Sequence, residues 1–256
     1  MHVVAIHSLG QDRETHASAL ALALDKTMYE VLSRLRSPGN GPFTVGVFAD
    51  QERAMQMEAK LRSAGFSAVL LTEREIAAEL SPLIVRKFVL SENDLAVATE
   101  TGQSLSIPFR NVRLILRGTG TVRGTTTETV KSRSVSLGRA VMSGGLMLTK
   151  TTKTVQEVAV EERTAFFNLY AGDNPVLVFR ENALVYDSLG PKLQPSRALN
   201  FTCLIAELRR RCPEAQYDER LLTRPAQIAL LGPTLNPEEH LSVATALLAK
   251  TLSLLP

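Results

Sequence analysis

An α+β fold is what this sequence predicts, and three features of its 256 residues lead there. Over the first 72 residues, short β-branched runs take turns with apolar residues spaced three and four apart. Beyond residue 83 the hydrophobic period drops to two, the spacing of half-buried strands. The C-terminal stretch returns to helical spacing behind a clean start signal, Asn236-Pro237-Glu238-Glu239. With 45% hydrophobic and 21% charged residues the chain is apolar enough to build a core, and its length favours two modules.

The first module covers about residues 1–75. Residues 3–7 read as a strand, and Ala17, Leu20 and Leu24 form the stripe of a helix. Asp25 or Thr27 starts a second helix with Met28, Val31, Leu32 and Leu35 on its apolar face. Ser37-Pro38-Gly39-Asn40-Gly41-Pro42 is a break, and residues 43–48 form the next strand. Asp50 caps a helix that turns Ala54, Met57 and Leu61 inward and stops at Gly65, before a strand over 66–71. The order is β-α-α-β-α-β. Three stretches carry a resemblance: Thr27-Met28-Tyr29-Glu30-Val31-Leu32, the strand entry at 42–47, and the run from Glu52-Arg53-Ala54 through Lys60-Leu61-Arg62-Ser63-Ala64-Gly65-Phe66-Ser67-Ala68-Val69-Leu70. Together they resemble the C-terminal domain of the bacterial ribosomal stalk protein, whose fold the Clp protease adaptor for N-degrons shares. The resemblance implies a protein-binding domain that does no chemistry. The stalk domain's lysine-rich helix is absent, with only Lys26 nearby, and so is the adaptor's acidic degron-binding cluster.

Residues 73–83 predict a short helix ended by Pro82, a natural joint. Strands over 84–90 and 95–99 flank the turn Ser91-Glu92-Asn93-Asp94, and 105–109 follows Thr101-Gly102. Val112, Leu114 and Leu116 then alternate with Arg113, Ile115 and Arg117, the fourth short strand of a meander. Three more strands are expected at 165–170, 176–179 and 183–186. Ser196 caps a helix with Phe201, Leu204, Ile205, Leu208 and Cys212 on one face, stopped by Pro213. Seven strands and one helix, with the phrase Leu105-Ser106-Ile107-Pro108-Phe109-Arg110-Asn111-Val112, resemble the bacterial pleckstrin-homology-like fold over residues 84–212. That resemblance implies a seven-stranded barrel closed at one end by the helix, with 118–160 as a long insertion. Lipid-binding members place cations in the first hairpin loop, which here is Glu92-Asn93-Asp94, so any anion site falls to the insertion instead. Residues 213–256 form a helical extension whose Leu241, Ala244, Leu247, Leu248, Thr251 and Leu252 dock on the body or on a second copy.

Charge is uneven along the chain. Residues 1–109 hold 10 basic and 13 acidic side chains, 110–153 hold 9 and 1, and 154–256 hold 10 and 12. A cationic stretch of this density attracts anions through its summed field, whereas the bland alternative is a solvated loop. Within it Lys131, Arg133, Arg139, Lys150 and Lys153 are the candidate binding residues for an acidic partner or an anionic surface. The last four bracket the apolar pieces Ala140-Val141-Met142 and Leu146-Met147-Leu148, two before and two after. Those pieces suit a tip that dips into an anionic interface, a hairpin turning at Gly144-Gly145, or a docking site for a partner protein.

Other chemistries find little footing. Gly118-Thr119-Gly120-Thr121-Val122-Arg123-Gly124 has the look of a phosphate loop, but Thr125-Thr126-Thr127 follows where a helix start is required, so a flexible linker is expected. Cys203 and Cys212 lie nine positions apart in one helix, about 13 Å of rise, too far for a disulfide. His2, His7, His16 and His240 show no metal spacing, and neither a nucleophile elbow nor a cofactor motif is present. No apolar run approaches the roughly 18 residues of a membrane span. The N-terminus lacks a signal-peptide pattern, so the expected place is the cytoplasm, with a peripheral position at the membrane as its variant. The resulting expectation is a non-enzymatic interaction or scaffold protein whose basic Gly/Ser/Thr-rich segment meets an acidic protein partner or membrane surface. An RNA- or ribosome-associated factor is the alternative, weakened by the lack of aromatic residues in the basic stretch. An enzyme of unrecognised type comes third.

Overall fold

The computed structural model describes residues 1–8, 13–35, 42–135, 149–172 and 174–254. It divides into two compact units, one of Met1–Gly120 with Thr164–Pro256 and one of Thr121–Arg163. The class is mixed α+β, with a three-stranded sheet, a seven-stranded sheet and a C-terminal helix.

In the first unit, β1 (His2–Ser8) lies between β2 (Phe43–Phe48) and β3 (Ser67–Leu71), antiparallel to both. Its uninterrupted apolar run reflects burial on both faces. Val4 and Ile6, with Ala68 and Leu70 of β3, face a core shared with α1 (Arg13–Leu24), α2 (Met28–Leu35) and α3 (Gln51–Ser63). Val3, Ala5, Val69 and Leu71 face a different core on the other side. Thr27 caps α2 through a reciprocal pair with Glu30, and the Asp50 carboxylate accepts from the Glu52 and Arg53 amides at the start of α3. Next, α4 (Glu73–Leu80) opens with a capping box between Thr72 and Glu75.

The large sheet runs in the order β10-β7-β8-β9-β4-β5-β6 and is open. Its strands are β4 (Leu83–Leu90), β5 (Asp94–Thr99), β6 (Ser104–Pro108), β7 (Val112–Val135), β8 (Thr149–Ala171), β9 (Leu177–Arg180) and β10 (Gln216–Leu221). The closed barrel expected from the pleckstrin-homology-like resemblance therefore does not form. Two parallel pairings, β4 with β9 and β7 with β10, put β6 and β10 at separate edges. The seventh strand is also not where the sequence placed it. Residues 183–186 contribute a single bridge, Val185 to Lys87, and the place is taken by β10, which is polar in sequence.

Helix α5 (Arg197–Arg211) starts at the expected Ser196 cap and covers one face of the sheet. Phe201 packs at 5.3 Å from Phe167, which stacks on Phe179 at 4.4 Å, and Leu204, Ile205 and Leu208 complete this core. The opposite face of β7 and β8 meets the second core, where α6 (Arg224–Leu231) and α7 (Pro237–Ser253) pack against β1 and β3. Val243, Ala244, Leu247 and Leu248 of α7 are fully enclosed there, so the terminal helix docks on its own chain.

Gly118 and Gly120 lie on β7, in a strand where a flexible linker was expected. A Cβ on Gly118 would stand 2.7 Å from both the Leu221 Cβ and the Phe166 ring, and one on Gly120 would stand 2.8 Å from Leu241. These glycines serve close packing rather than a phosphate turn.

Polar bonds tie the three-stranded sheet to the C-terminal helices. The Thr44 hydroxyl donates to the Leu230 carbonyl at 3.0 Å, and the Lys250 ammonium donates to the Leu70 carbonyl and to Glu75, each at 2.6 Å. Gly232 ends α6 with φ of +69° and ψ of −173°, a conformation that is essentially glycine's own. A side chain there would also come within 3.2 Å of the Thr44 carbonyl. Gly232→Ala is expected to lower stability by about 1–3 kcal/mol, seen as a lower denaturant midpoint with an unchanged slope.

Candidate functional site

Three places in the molecule gather polar chemistry. The first is the pair of long strands, β7 and β8, which are neighbours in the sheet. They run for 24 and 23 residues, several times the usual strand of about five or six. The second unit, Thr121–Arg163, takes in the later part of β7 and the earlier part of β8. Lys131 and Arg133 fall on β7 and Lys150 and Lys153 on β8, so four of the five sequence-selected cations share one two-stranded ribbon. Their side chains lie outside what is described, and Arg139, with the apolar pieces around Gly144-Gly145, lies outside the described residues altogether. Lys and Arg outnumber Asp and Glu by 7 to 4 in the second unit, against 22 to 22 in the first. Glu157, Glu161 and Glu162 on β8 thus temper the charge that the window 110–153 suggested. Arg117 of that window belongs to the first unit and pairs with Glu219 at 3.2 Å.

The second place is a groove of about 1100 Å³ where the C-terminal end of α5 meets the β4–β5 turn and the end of β6. Arg211 forms its wall. Its guanidinium donates to the carbonyls of Ser91 and Glu92 and sits 5.3 Å above the Phe109 ring. Arg210, beside it, pairs with Glu207 at 2.9 Å. Arg110 faces the same groove and makes no hydrogen bond or ion pair among the described residues. Glu92, Asp94 and Glu214 balance the three arginines, so the groove carries no net charge.

The third is a half-buried acid, Glu79, that spacing and composition did not single out. Glu79 stands on the last turn of α4, three residues after the buried Ile76 and hence on the same helical stripe. The Tyr170 hydroxyl donates to both Glu79 oxygens at 3.0 Å, and the Asn168 amide reaches one of them at 3.5 Å. Burial, opposed only in part by these hydrogen bonds, pushes the Glu79 carboxyl up to about 7. Burial and the adjoining carboxyl likewise hold the Tyr170 phenol well above its ordinary value. The available signal was an acidic residue on an apolar stripe.

Among the described residues no group of three His, Cys, Asp or Glu side chains could hold a metal ion, and no helix is long and apolar enough to cross a membrane. Cys212 is buried in the core under α5, which pushes its thiol up to about 11. Compared with known proteins, the chain matches no family model, no curated protein and no solved structure.

The groove wall yields a direct check. Arg211→Ala removes two carbonyl partners and the ring contact and is expected to cost about 1–2 kcal/mol. Arg110→Ala, by contrast, is expected to leave the unfolding midpoint unchanged.

Proposed function

We propose that this is a non-enzymatic interaction or scaffold protein whose basic segment is its contact element for an acidic partner or an anionic membrane surface, with Lys131, Arg133, Lys150 and Lys153 on the β7–β8 ribbon and Arg139 between them in sequence. One observation carries the reading. Two strands far longer than the core needs continue into a separate compact unit, and the chain's whole cationic excess lies in that unit. Local cation excess attracts polyanions before any specific contact is made, and it does so without a catalytic group.

The pleckstrin-homology-like and stalk-domain resemblances belong to the same proposal. Helix α5 lying across Phe167 and Phe179 supports the first, and the order β1-α1-α2-β2-α3-β3 supports the second. Both point to domains that bind rather than react.

The test uses the full chain and a variant carrying Lys131→Glu, Arg133→Glu, Lys150→Glu and Lys153→Glu. Each is titrated with phosphatidylserine vesicles, an acidic polypeptide and duplex RNA over a salt series. At about 1 kcal/mol per cation near an anionic surface, the variant should bind two to three orders of magnitude more weakly. Wild-type affinity should fall steeply with salt. Salt-dependent binding to RNA alone would favour the RNA-associated reading, and equal binding by both proteins would sink the proposal.

A further inference from the structure

The seat of α4 on β8 is short of hydrogen-bond donors. Glu79 has no cation partner among the described residues, and its one close donor is the Tyr170 hydroxyl. The Asn168 amide stands at 3.5 Å, the outer limit of a hydrogen bond. The Asn168 Oδ1 atom is buried without a hydrogen-bond partner among the described residues, in a residue only 5% exposed. Charged groups packed on α4 are committed elsewhere. Lys250 of α7 is held by Glu75 and the Leu70 carbonyl, and the amino group of Met1, just before β1, is held by Glu73 at 3.3 Å. Among the described residues, the titratable group that acts on the Glu79 carboxyl is Tyr170 itself. An ionised carboxylate in this position gives up hydration without receiving an opposite charge.

We propose that Glu79 is a proton-dependent latch: neutral, it seats the last turn of α4 on β8, and ionised, it loosens that turn and the link α4 makes between the two sheets. The helix joins β3 of the small sheet to β4 of the large one, so its grip on β8 bears on how firmly the two sheets hold together. The value of about 7 for this carboxyl, against 4.5 ordinarily, puts the transition within the range a cell can reach. The direction follows from proton counting. Between the two values the folded chain binds the proton and the unfolded chain does not, so stability falls as pH rises through this window and levels off above about 7.

Unfolding midpoints of the full chain are measured from pH 4.5 to 8.5 for the wild type and Glu79→Gln, together with amide hydrogen exchange over residues 76–80. The wild type should lose roughly two orders of magnitude in folding equilibrium constant relative to the glutamine variant across this range. Its α4 amides should exchange faster above neutral pH, after correction for intrinsic rates, while those of the variant do not. Should Glu79→Gln fail to fold, the carboxyl of Glu79 is titrated by NMR in the wild type and in Tyr170→Phe, where loss of the donor should move the transition to higher pH. A Glu79 carboxyl that titrates near 4.5, or parallel pH profiles for wild type and Glu79→Gln, would overturn the latch.

Discussion

The structure depends on two strands that pack against a hydrophobic core on each face within the first unit. Phe167 and Leu169 of β8 and Ile115 of β7 enter the core under α5. Their sequence neighbours Phe166, Tyr170, Leu114 and Leu116 enter the core beneath α6, α7 and the small sheet. Because successive residues of a strand point to opposite faces, one strand pair serves as the common wall of both cores. Remove that wall and neither α5 nor α7 has a surface to cover. The same constraint explains the glycines of β7. Where Leu221, Phe166 and Leu241 press against the strand there is no space for a Cβ.

Much of this was legible where local signals and tertiary need agree. The caps at Asp50, Ser196 and Asn236, the β1-α1-α2-β2-α3-β3 order and the inward stripe of α7 follow from spacing alone. The misses share a cause, which is long-range pairing. Nothing in Gln216-Tyr217-Asp218-Glu219-Arg220-Leu221 announces a strand, because its partner β7 lies a hundred residues earlier and runs parallel. The apolar run at 183–186 looked like a strand, yet Leu184 and Tyr186 reach the core from an irregular segment with one bridge. The open sheet has the same origin, since seven strand-like segments look alike whether they close or not.

The candidate sites were unequally visible. A run of cations is a property of composition, and it is read without knowing what lies opposite. Glu79 needs three-dimensional context, because its meaning comes from Asn168 and Tyr170, about ninety residues away. Two glutamates make the point together. Glu207, beside Lys192 and Arg210, is drawn down to about 2 by its hydrogen bonds to them, while Glu79, with no cation beside it among the described residues, is driven the other way by burial. The residue type is identical, and the sign of the effect is set by neighbours that the linear chain does not reveal.

The chain departs from the first unit at Gly120 and re-enters it at Thr164, on strands that sit side by side. Everything between those two points is thus a single excursion with both ends anchored in one hydrogen-bonded ladder. The described pairings of these strands with their outer neighbours, β7 with β10 and β8 with β9, use only body-side residues, so insertions or losses within the excursion are expected to leave them in register. Sequence change can therefore accumulate between those two points under constraints separate from those on the two cores.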